Sequence, residues 1–285
     1  MYRHVDVTPE WRQWLLDALE GGSTPASLLT TMIEHRFDPT VARATLIELT
    51  LGPPTADGTP VSTPSYVSDI VRLPEGNVLS TPDRDVRVLV RITRPVLAVL
   101  DQVLSDDECD TFKQLAAERL HRSTVVEPGS GVHAVMDYRT SEGAYFPRRE
   151  NEFTTRIERR IAALMNWPEA NAEGFQVMRY DTGGEYQPHY DYFLPNDVGS
   201  AIHLASGGQR VSTLIIYLDD VEEGGETIFP AINFRYVPRK GQALYFEYCN
   251  RDGALDPLTL HGGLPVKRGE KWIATQWMRQ GEFKR

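Results

Sequence analysis

The stretch Pro188-His189-Tyr190-Asp191 governs the interpretation of the whole chain. In an extended strand, side chains alternate between two faces, so His189 and Asp191 project to the same side while Tyr190 points away. His261 follows much later in the sequence, and a closed or doubled β-sheet would bring it opposite this pair. Two imidazoles and one carboxylate are the donor set that holds non-haem Fe(II) and leaves three coordination positions open. The spacing therefore predicts an iron site on a β-rich fold.

A His-x-Asp pair alone is weak evidence for a metal site, because most such pairs are polar residues of surface strands and loops. The surrounding sequence is more specific and contains these blocks: Arg179-Tyr180-Asp181-Thr182-Gly183-Gly184-Glu185-Tyr186-Gln187-Pro188-His189-Tyr190-Asp191, Gly207-Gly208-Gln209-Arg210-Val211-Ser212-Thr213, Glu222-Glu223-Gly224-Gly225-Glu226-Thr227, and Asp256-Pro257-Leu258-Thr259-Leu260-His261-Gly262-Gly263 followed by Lys271-Trp272. In this order the blocks resemble the prolyl 4-hydroxylase branch of the Fe(II)/2-oxoglutarate dioxygenases. The likeness covers about the last two thirds of the chain and leaves residues 1 to about 90 outside it.

The resemblance implies an α+β fold in which a double-stranded β-helix, or jelly roll, is flanked by helices. Periodicity adds short β-runs, at residues 175–179, 211–218, 242–248 and 271–278. Alternation along the last run places Lys271 and Trp277 on one face. Helices are predicted to start at Ser105 and near Glu152.

A small α-helical unit is predicted at the N-terminus. Thr8-Pro9, Pro25 and Asp38-Pro39 each open a segment with helical spacing of apolar residues. Gly52 to about Ser68 has the composition of a linker. We expect a helical unit at 1–55, a linker with lead-in strands at 56–90 and a dioxygenase domain at 91–285. The helical unit either packs against the core or docks a substrate or partner, since periodicity reports burial and not chemistry.

The resemblance also assigns the residues of an iron and co-substrate site. It implies that the iron ligands are His189, Asp191 and His261. It implies that Lys271 receives the far carboxylate of 2-oxoglutarate, with hydroxyl groups of Tyr180 and Thr227 beside it. A buried ammonium is unfavourable unless it is paired, and a dicarboxylate would supply the partner. The alternative for Lys271 is a solvated lysine at a strand end.

Substrate-facing residues follow from the same resemblance. Tyr186, Arg210 and Trp277 match positions that line the peptide groove of prolyl hydroxylases, where aromatic faces meet the proline ring and a guanidinium meets backbone carbonyls. Trp277 has an alternative interpretation as core packing, because aromatic residues dominate cores as well as sites.

The implied reaction uses Fe(II), 2-oxoglutarate and dioxygen, with ascorbate as an optional reductant. A prolyl residue in a peptide or protein is hydroxylated, and 2-oxoglutarate is converted to succinate and carbon dioxide. Related halogenases lack the ligand carboxylate, so Asp191 favours hydroxylation. A free amino acid or a nonribosomal peptide product is an alternative substrate. A catalytically silent jelly-roll binding module is the alternative of another class, and the retention of Lys271, Tyr180 and Thr227 speaks against it.

Composition sets limits on partners and compartment. Among 285 residues, 30 are basic and 40 acidic, which gives a net charge of −10. This balance, without a Lys/Arg run, argues against nucleic acid as the main partner. Cys109 and Cys249 are too few for a disulfide framework, and the first residues lack the apolar core of a signal peptide. We therefore expect a cytoplasmic protein without a membrane anchor.

Two polar segments lie beside the expected site. Residues 121–148 are expected to be irregular and match a mobile flap of the prolyl hydroxylases, with an ordered surface connection as the alternative. Residues 194–203 are expected to form a turn-rich loop in which His203 is a polar loop residue and not a fourth ligand.

Overall fold

The structure of the chain is a computed structural model. It describes residues 7–20, 23–37, 41–42, 45–46, 49, 66–67, 71–122, 125–126, 133–134, 140–193 and 200–284. The chain divides into two compact units, Met1–Ser65 and Tyr66–Arg285. The expected division at residues 55 and 90 stays a prediction.

The first unit contains helices α1 (Pro9–Glu20) and α2 (Pro25–Glu34). Thr24 caps α2 by accepting a hydrogen bond from the backbone N–H of Ser27 at 3.1 Å. Pro25 fits the first helical position because a backbone N–H there would have no partner within the helix. The helices bury a small core of their own, formed by Leu15, Leu28, Met32, Phe37, Ala42 and Leu46. The third predicted helix is described only at residues 41–42, 45–46 and 49, which are helical, and the rest of it lies outside the described residues.

The described part of the second unit contains three α-helices, three short 3-10 helices (Glu169–Asn171, Pro230–Ile232 and Pro257–Thr259) and seventeen strands. The α-helices are α3 (Asp106–Ala117), α4 (Glu152–Leu164) and α5 (Ser200–Leu204). The strands are β1 (Val78–Ser80), β2 (Asp85–Ile92), β3 (Leu97–Asp101), β4 (His121–Arg122), β5 (Val125–Val126), β6 (His133–Ala134), β7 (Glu142–Phe146), β8 (Phe175–Tyr180), β9 (Tyr186–His189), β10 (Arg210–Tyr217), β11 (Glu223–Gly224), β12 (Thr227–Phe229), β13 (Phe234–Tyr236), β14 (Ala243–Glu247), β15 (His261–Gly263), β16 (Val266–Arg268) and β17 (Lys271–Arg279).

Two antiparallel sheets form the centre of this unit. The large sheet has nine strands in the order β1-β2-β3-β14-β10-β17-β8-β7-β4, and the small sheet has four in the order β13-β12-β15-β9. Two-stranded ribbons, β11-β16 and β5-β6, complete the pairing among described residues. The chain alternates between the sheets, as in a double-stranded β-helix. The expected α+β jelly-roll fold is confirmed.

The core lies between the sheets and under the helices. Phe229 of the small sheet packs edge-on against Phe246 of the large sheet, with ring centroids 5.1 Å apart. On the other face of the large sheet, Phe112 of α3 contacts Phe175 of β8 at 5.1 Å. Phe112 is fully buried, and burial of such a side chain contributes about 1.5–3 kcal/mol. The helices therefore cover one face of the large sheet, and the other face is directed at the small sheet.

Local signals for the helices of this unit are confirmed. Ser105 and Glu108 form a reciprocal capping box at the start of α3, and the first turn is acidic, which suits the positive end of the helix dipole. Asn151 caps α4 in the same way with Thr154. Within the described part of the chain, no helix combines the length and the apolar character needed to cross a bilayer.

Two local expectations are wrong. Residues 142–146, expected to be irregular, form β7 and pair with β8, because Ala144 and Phe146 alternate into the core. Ser200–Leu204, expected to be a turn-rich loop, is the short helix α5. Most of the expected flap and residues 194–199 lie outside the described residues, so the mobile lid stays a prediction.

Candidate active site

The His-x-Asp pair and the distant histidine meet at one edge of the small sheet, where β9 pairs with β15. His189 ends β9 and His261 begins β15, and the two are register partners in an antiparallel pair. Asp191 follows β9 after one intervening residue. Gly262 permits this close pairing, since a Cβ there would lie 2.9 Å from the carbonyl oxygen of Tyr186. Sheet register therefore brings together residues that are far apart in sequence.

Their donor atoms converge on one point. His189 Nε2 lies 3.8 Å from Asp191 Oδ1, and His261 Nε2 lies 3.6 Å from Asp191 Oδ2. One donor atom from each of the three residues lies within 4.8 Å of the others, and this is the one such group found among the described residues. The two imidazoles and the carboxylate fit a single Fe(II) ion, because this donor set is the facial triad of non-haem iron proteins.

Backbone carbonyls orient both imidazoles. His189 Nδ1 lies 2.9 Å from the Gln187 carbonyl oxygen, and His261 Nδ1 lies 3.0 Å from that of Thr259. A carbonyl can only accept, so each Nδ1 carries the proton and each Nε2 keeps its lone pair directed at the carboxylate. Hydrogen bonds of this kind set the tautomer of metal-binding histidines.

Aromatic rings restrict the movement of the imidazoles. His261 lies between Phe229 and Phe246, with ring centroids 5.5 and 4.7 Å away. Tyr186 stacks on His189 at 3.7 Å with an interplanar angle of 21°. The more exposed face of the site is therefore lined by Tyr186, which is half-buried.

Asp191 stays ionised in this environment. Burial raises the pKa of its carboxyl, but the positive charge that His261 and His189 carry when protonated, the charge of Arg210 and a hydrogen bond from Thr213 outweigh burial and lower the pKa below its ordinary value. An ionised carboxylate with two lone-pair-bearing imidazoles is a ready cation site.

A second group of polar residues surrounds Lys271, which begins β17 opposite Tyr180. Lys271 Nζ donates to Thr227 Oγ1 at 3.4 Å and lies 5.8 Å from the centroid of the Tyr180 ring. Tyr217 donates to the same threonine oxygen at 2.7 Å. Gly263 connects this group to the triad: a Cβ there would lie 3.4 Å from Lys271 Nζ, only two residues after His261.

Among the residues that the structure describes, Lys271 lacks an ionic partner. No carboxylate of this part of the chain pairs with its Nζ, and the nearby Glu226 pairs with Arg235 instead. Burial lowers the pKa of Lys271 to about 7, and the charge of Glu226 offsets this only in part. An anionic group placed beside Nζ would restore its ordinary charge state.

Arg210 and Trp277 lie together on the other side of the site. Glu173 binds Arg210 through both carboxylate oxygens, at 2.6 and 3.0 Å, and also accepts from Arg279 at 2.6 Å. Burial raises the pKa of Glu173, but these two guanidinium groups lower it below its ordinary value. Arg210 also donates to the backbone carbonyl of Asp191 at 3.2 Å. Arg210 is thus part of a fixed ion-pair cluster.

The structure brings the nine predicted site residues into three neighbouring groups. They are the triad of His189, Asp191 and His261 with Tyr186 stacked on His189, the Lys271 group with Tyr180 and Thr227, and the contacting pair of Arg210 and Trp277. Sequence reasoning missed Glu173, Thr213, Tyr217, Tyr248 and Arg279. Each is a common residue type that its local sequence does not mark, and its role depends on partners from other strands. His203 stacks on Phe193 at 5.2 Å and does not join the triad group.

Comparison with known proteins agrees with this geometry. The family model of the 2OG-Fe(II) oxygenase superfamily matches residues 175–279. Probable prolyl 4-hydroxylase 3 of Arabidopsis thaliana is 39% identical over 209 residues, which span 67% of this chain and 71% of the relative. Prolyl 4-hydroxylase 1 of the same plant is 40% identical over 201 residues, 65% of this chain and 69% of the relative.

A solved structure matches the same region. The viral collagen prolyl hydroxylase of Paramecium bursaria Chlorella virus-1, crystallised with 2OG, is 33% identical and superposes with a TM-score of 0.51. The match covers 64% of this chain and 95% of the viral protein. The small sheet and all nine predicted site residues fall within residues 175–279, the range that the family model matches.

Proposed function

This chain belongs to the prolyl 4-hydroxylase family of the 2OG-Fe(II) oxygenases, and from that premise we propose that it hydroxylates a prolyl residue of a peptide or protein. The reaction consumes 2-oxoglutarate and dioxygen and forms succinate and carbon dioxide. One observation carries the proposal: the triad of His189, Asp191 and His261 lies next to a buried lysine that has no ionic partner in the described chain. A structural metal site has no need of such a lysine.

We propose that His189 and His261 bind Fe(II) through Nε2 and that Asp191 binds it through one carboxylate oxygen. When bound, the iron supplies the oxygen chemistry by which 2-oxoglutarate is decarboxylated and the substrate carbon is hydroxylated. The three side chains occupy one face of the ion and leave three positions for co-substrate and dioxygen. Their support is the convergence of the donor atoms and the fixed tautomers of both imidazoles.

We propose that Lys271 holds the far carboxylate of 2-oxoglutarate, with Thr227 and Tyr180 beside it. Nζ is already directed at Thr227 Oγ1, and the surrounding tyrosine rings exclude water. A charge-assisted hydrogen bond in such a dry pocket is stronger than one in water. Lys271 would then direct the keto-acid end of the co-substrate toward the triad, because its Nζ lies beside Gly263, two residues after the ligand His261.

The prolyl ring of the substrate is proposed to lie against the aromatic faces of Tyr186 and Trp277. Arg210 is proposed to donate to backbone carbonyl groups of the substrate peptide. Tyr186 stacks on the ligand His189, so a ring resting on it lies beside the metal position. The relatives are named prolyl 4-hydroxylases and the viral protein a collagen prolyl hydroxylase, which supports a peptide substrate.

Two further proposals concern the reductant and the cellular compartment. Ascorbate is proposed as a reductant that keeps the iron ferrous, on the family resemblance alone. A cytoplasmic location is proposed because Cys109 and Cys249 are both free thiols, which suits a reducing compartment.

The test is substrate-dependent succinate formation by protein that is loaded with Fe(II) under anaerobic conditions and then supplied with 2-oxoglutarate, peptide and dioxygen. Proline-rich peptides, the same peptides with alanine for proline, and free L-proline are compared, and products are examined by mass spectrometry for one added oxygen atom. The proposal expects turnover only with prolyl peptides. Turnover with free L-proline alone would replace the peptide by an amino acid substrate. Tight binding of metal and 2-oxoglutarate without any oxygenated product would identify a binding module. His121→Ala serves as control, since its Nδ1 makes the same carbonyl contact as the site imidazoles but lies on β4.

A further inference from the structure

A chain of buried hydroxyl groups leads to the carboxylate of Asp191. Thr213 Oγ1 lies 2.7 Å from Asp191 Oδ2, and the hydroxyl of Tyr248 lies 3.0 Å from Thr213 Oγ1. Thr213 and Tyr248 are both 0% exposed and Asp191 is 8% exposed. Hydrogen bonds in such surroundings are not weakened by competing water.

Valence fixes the direction of both hydrogen bonds. An ionised carboxylate can only accept, so the one hydroxyl hydrogen of Thr213 must point to Asp191. The threonine oxygen then has only lone pairs left for Tyr248, which makes the tyrosine the donor. The order is therefore Tyr248 to Thr213 to Asp191, and each bond polarises the next.

The two donors are anchored more firmly than the carboxylate that they hold. Thr213 lies within β10, which pairs with β14 on one side and β17 on the other, opposite Phe246 and Trp277. Tyr248 follows β14 and its backbone N–H donates to the Val211 carbonyl at 3.1 Å. Asp191, by contrast, lies just beyond the end of β9. A residue of the large sheet, Thr213, thus holds the side chain of Asp191, which follows a strand of the small sheet.

We propose that Thr213, supported by Tyr248, is a positioning residue: its hydrogen bond to Oδ2 of Asp191 turns the carboxylate so that the metal binds through Oδ1 and not through both oxygens. This inference rests on the proposed function of Asp191 as an iron ligand. A carboxylate can bind a cation through one oxygen or through both. Binding through both would occupy a fourth coordination position and leave only two for 2-oxoglutarate and dioxygen. The hydroxyl relay therefore maintains the number of open positions that the reaction requires.

Three variants test the relay in the full-length protein with Co(II), whose visible absorption reports its coordination. Thr213→Val keeps the shape of the side chain without the hydroxyl, Thr213→Ser keeps the hydroxyl, and Tyr248→Phe removes only the outer donor. We expect Thr213→Val to weaken Co(II) binding about 10- to 100-fold, as loss of an outer partner of a metal ligand does. Its absorption bands should change, and 2-oxoglutarate should bind the Co(II) protein less tightly.

The conservative variants give the sharper result. Thr213→Ser should keep the wild-type bands and a Co(II) affinity within about threefold of wild type, because the hydrogen bond to Asp191 remains. Tyr248→Phe should lower the Co(II) affinity about two- to tenfold, the effect of one hydrogen bond. Ser212→Ala is the matched control, because it removes a buried hydroxyl from the neighbouring residue on the opposite face of β10. It should leave Co(II) affinity and bands unchanged.

The possible failures are distinguishable. Wild-type affinity, bands and 2-oxoglutarate binding in Thr213→Val would overturn the relay while leaving the metal site intact. If Thr213→Val does not fold, an unchanged Tyr248→Phe would overturn the role of the tyrosine. If the wild-type protein did not bind Co(II), or if His189→Ala still bound it, the proposed function itself would be overturned.

Discussion

The guanidinium carbon of Arg210 lies 3.9 Å from the centroid of the Trp277 ring. Such a contact between a cation and the most electron-rich aromatic side chain contributes about 0.5–2 kcal/mol, with the larger values where water is excluded. Glu173 holds the other edge of the same guanidinium. Because the guanidinium also lies 5.0 Å from the centroid of Phe193, the arginine is positioned before any substrate arrives.

Replacement of Arg210 by alanine is expected to impair substrate use more than co-substrate use. Loss of a charged hydrogen-bonding group costs about 1.5–3 kcal/mol, which corresponds to roughly a 10- to 100-fold rise in KM for a prolyl peptide. Succinate formation in the absence of peptide should persist, because the triad and the Lys271 group remain. Steady-state assays with and without peptide measure both quantities.

Arg119→Ala is the control for this variant, since Arg119 also lies over an aromatic ring, 4.9 Å from the centroid of Phe146, but on the surface away from the site. Loss of peptide-independent succinate formation in Arg210→Ala would show that the arginine acts on the metal or on 2-oxoglutarate, against its assignment to the substrate groove.

Metal addition is expected to stabilise the fold through the triad. A ligand present at 100 times its dissociation constant stabilises a folded protein by about 2.7 kcal/mol. For a unit of this size that shifts the unfolding midpoint upward by roughly 5–10 °C. Thermal unfolding with Co(II) or with a chelator measures the shift. His261→Ala should abolish it, while His121→Ala should retain it; an equal shift in both variants would place the metal elsewhere.

Part of the site could be predicted from sequence because its residues follow the period of a strand. Lys271 and Trp277 share the parity of β17, so alternation assigns them to one face, whereas β9 ends at His189 and the two residues that follow the strand bring Asp191 to the same site. The mutual approach of β9 and β15 required a fold, which the family resemblance supplied. The confirmed jelly roll follows from both.

The supporting residues could not be predicted for a physical reason. Thr213 contacts a residue 22 positions away, and Arg279 contacts Glu173 across 106 positions. Which polar groups pair inside a sheet depends on register, and nothing in the local sequence of Thr213 distinguishes it from any other β-branched strand residue.

Binding of 2-oxoglutarate is expected to weaken as pH rises above neutrality. The pKa of Lys271 is lowered from 10.5 to about 7 by burial, so the free protein loses the ammonium charge above about pH 7. A dicarboxylate binds the charged form, and its apparent affinity should therefore fall about tenfold per pH unit above the pKa of the free protein, until the pKa of the complex is reached. Titration calorimetry in buffers of different ionisation enthalpy should show uptake of about one proton at pH 8.

Lys271→Met should remove both the proton uptake and the pH dependence, together with most of the affinity. Lys113→Met is the control, because Lys113 pairs with Asp219 at 2.6 Å, which helps raise its pKa. A wild-type affinity that stays constant between pH 7 and 9 would show that Lys271 keeps its charge in the free protein, and an unchanged affinity in Lys271→Met would exclude Lys271 as the partner of the carboxylate.

The stability of the second unit is expected to depend on Arg160 of α4. This side chain is 1% exposed and donates to Glu108 at 2.7 and 2.8 Å and to Asp83 at 2.8 Å. Burial raises the pKa of Glu108, but hydrogen bonds from Arg160 and Ser105 and the charges of Arg160 and Arg84 outweigh it and lower the pKa to about 2. Arg160→Met leaves a buried carboxylate without its main partner, which costs about 3–5 kcal/mol. Urea unfolding at neutral pH measures the loss.

The acid limb of the stability curve provides the decisive comparison. Because the folded-state pKa of Glu108 is depressed, its contribution is fully present above the unfolded value of 4.5 and is lost as pH falls toward 2. The difference in unfolding free energy between wild type and Arg160→Met should therefore shrink across this window. Arg149→Met, which removes a pair with Glu169 from a 58% exposed arginine, should cost less than about 1 kcal/mol at any pH. A difference for Arg160→Met that stays constant between pH 5 and pH 2 would mean that the arginine acts through packing and not through the charge of Glu108.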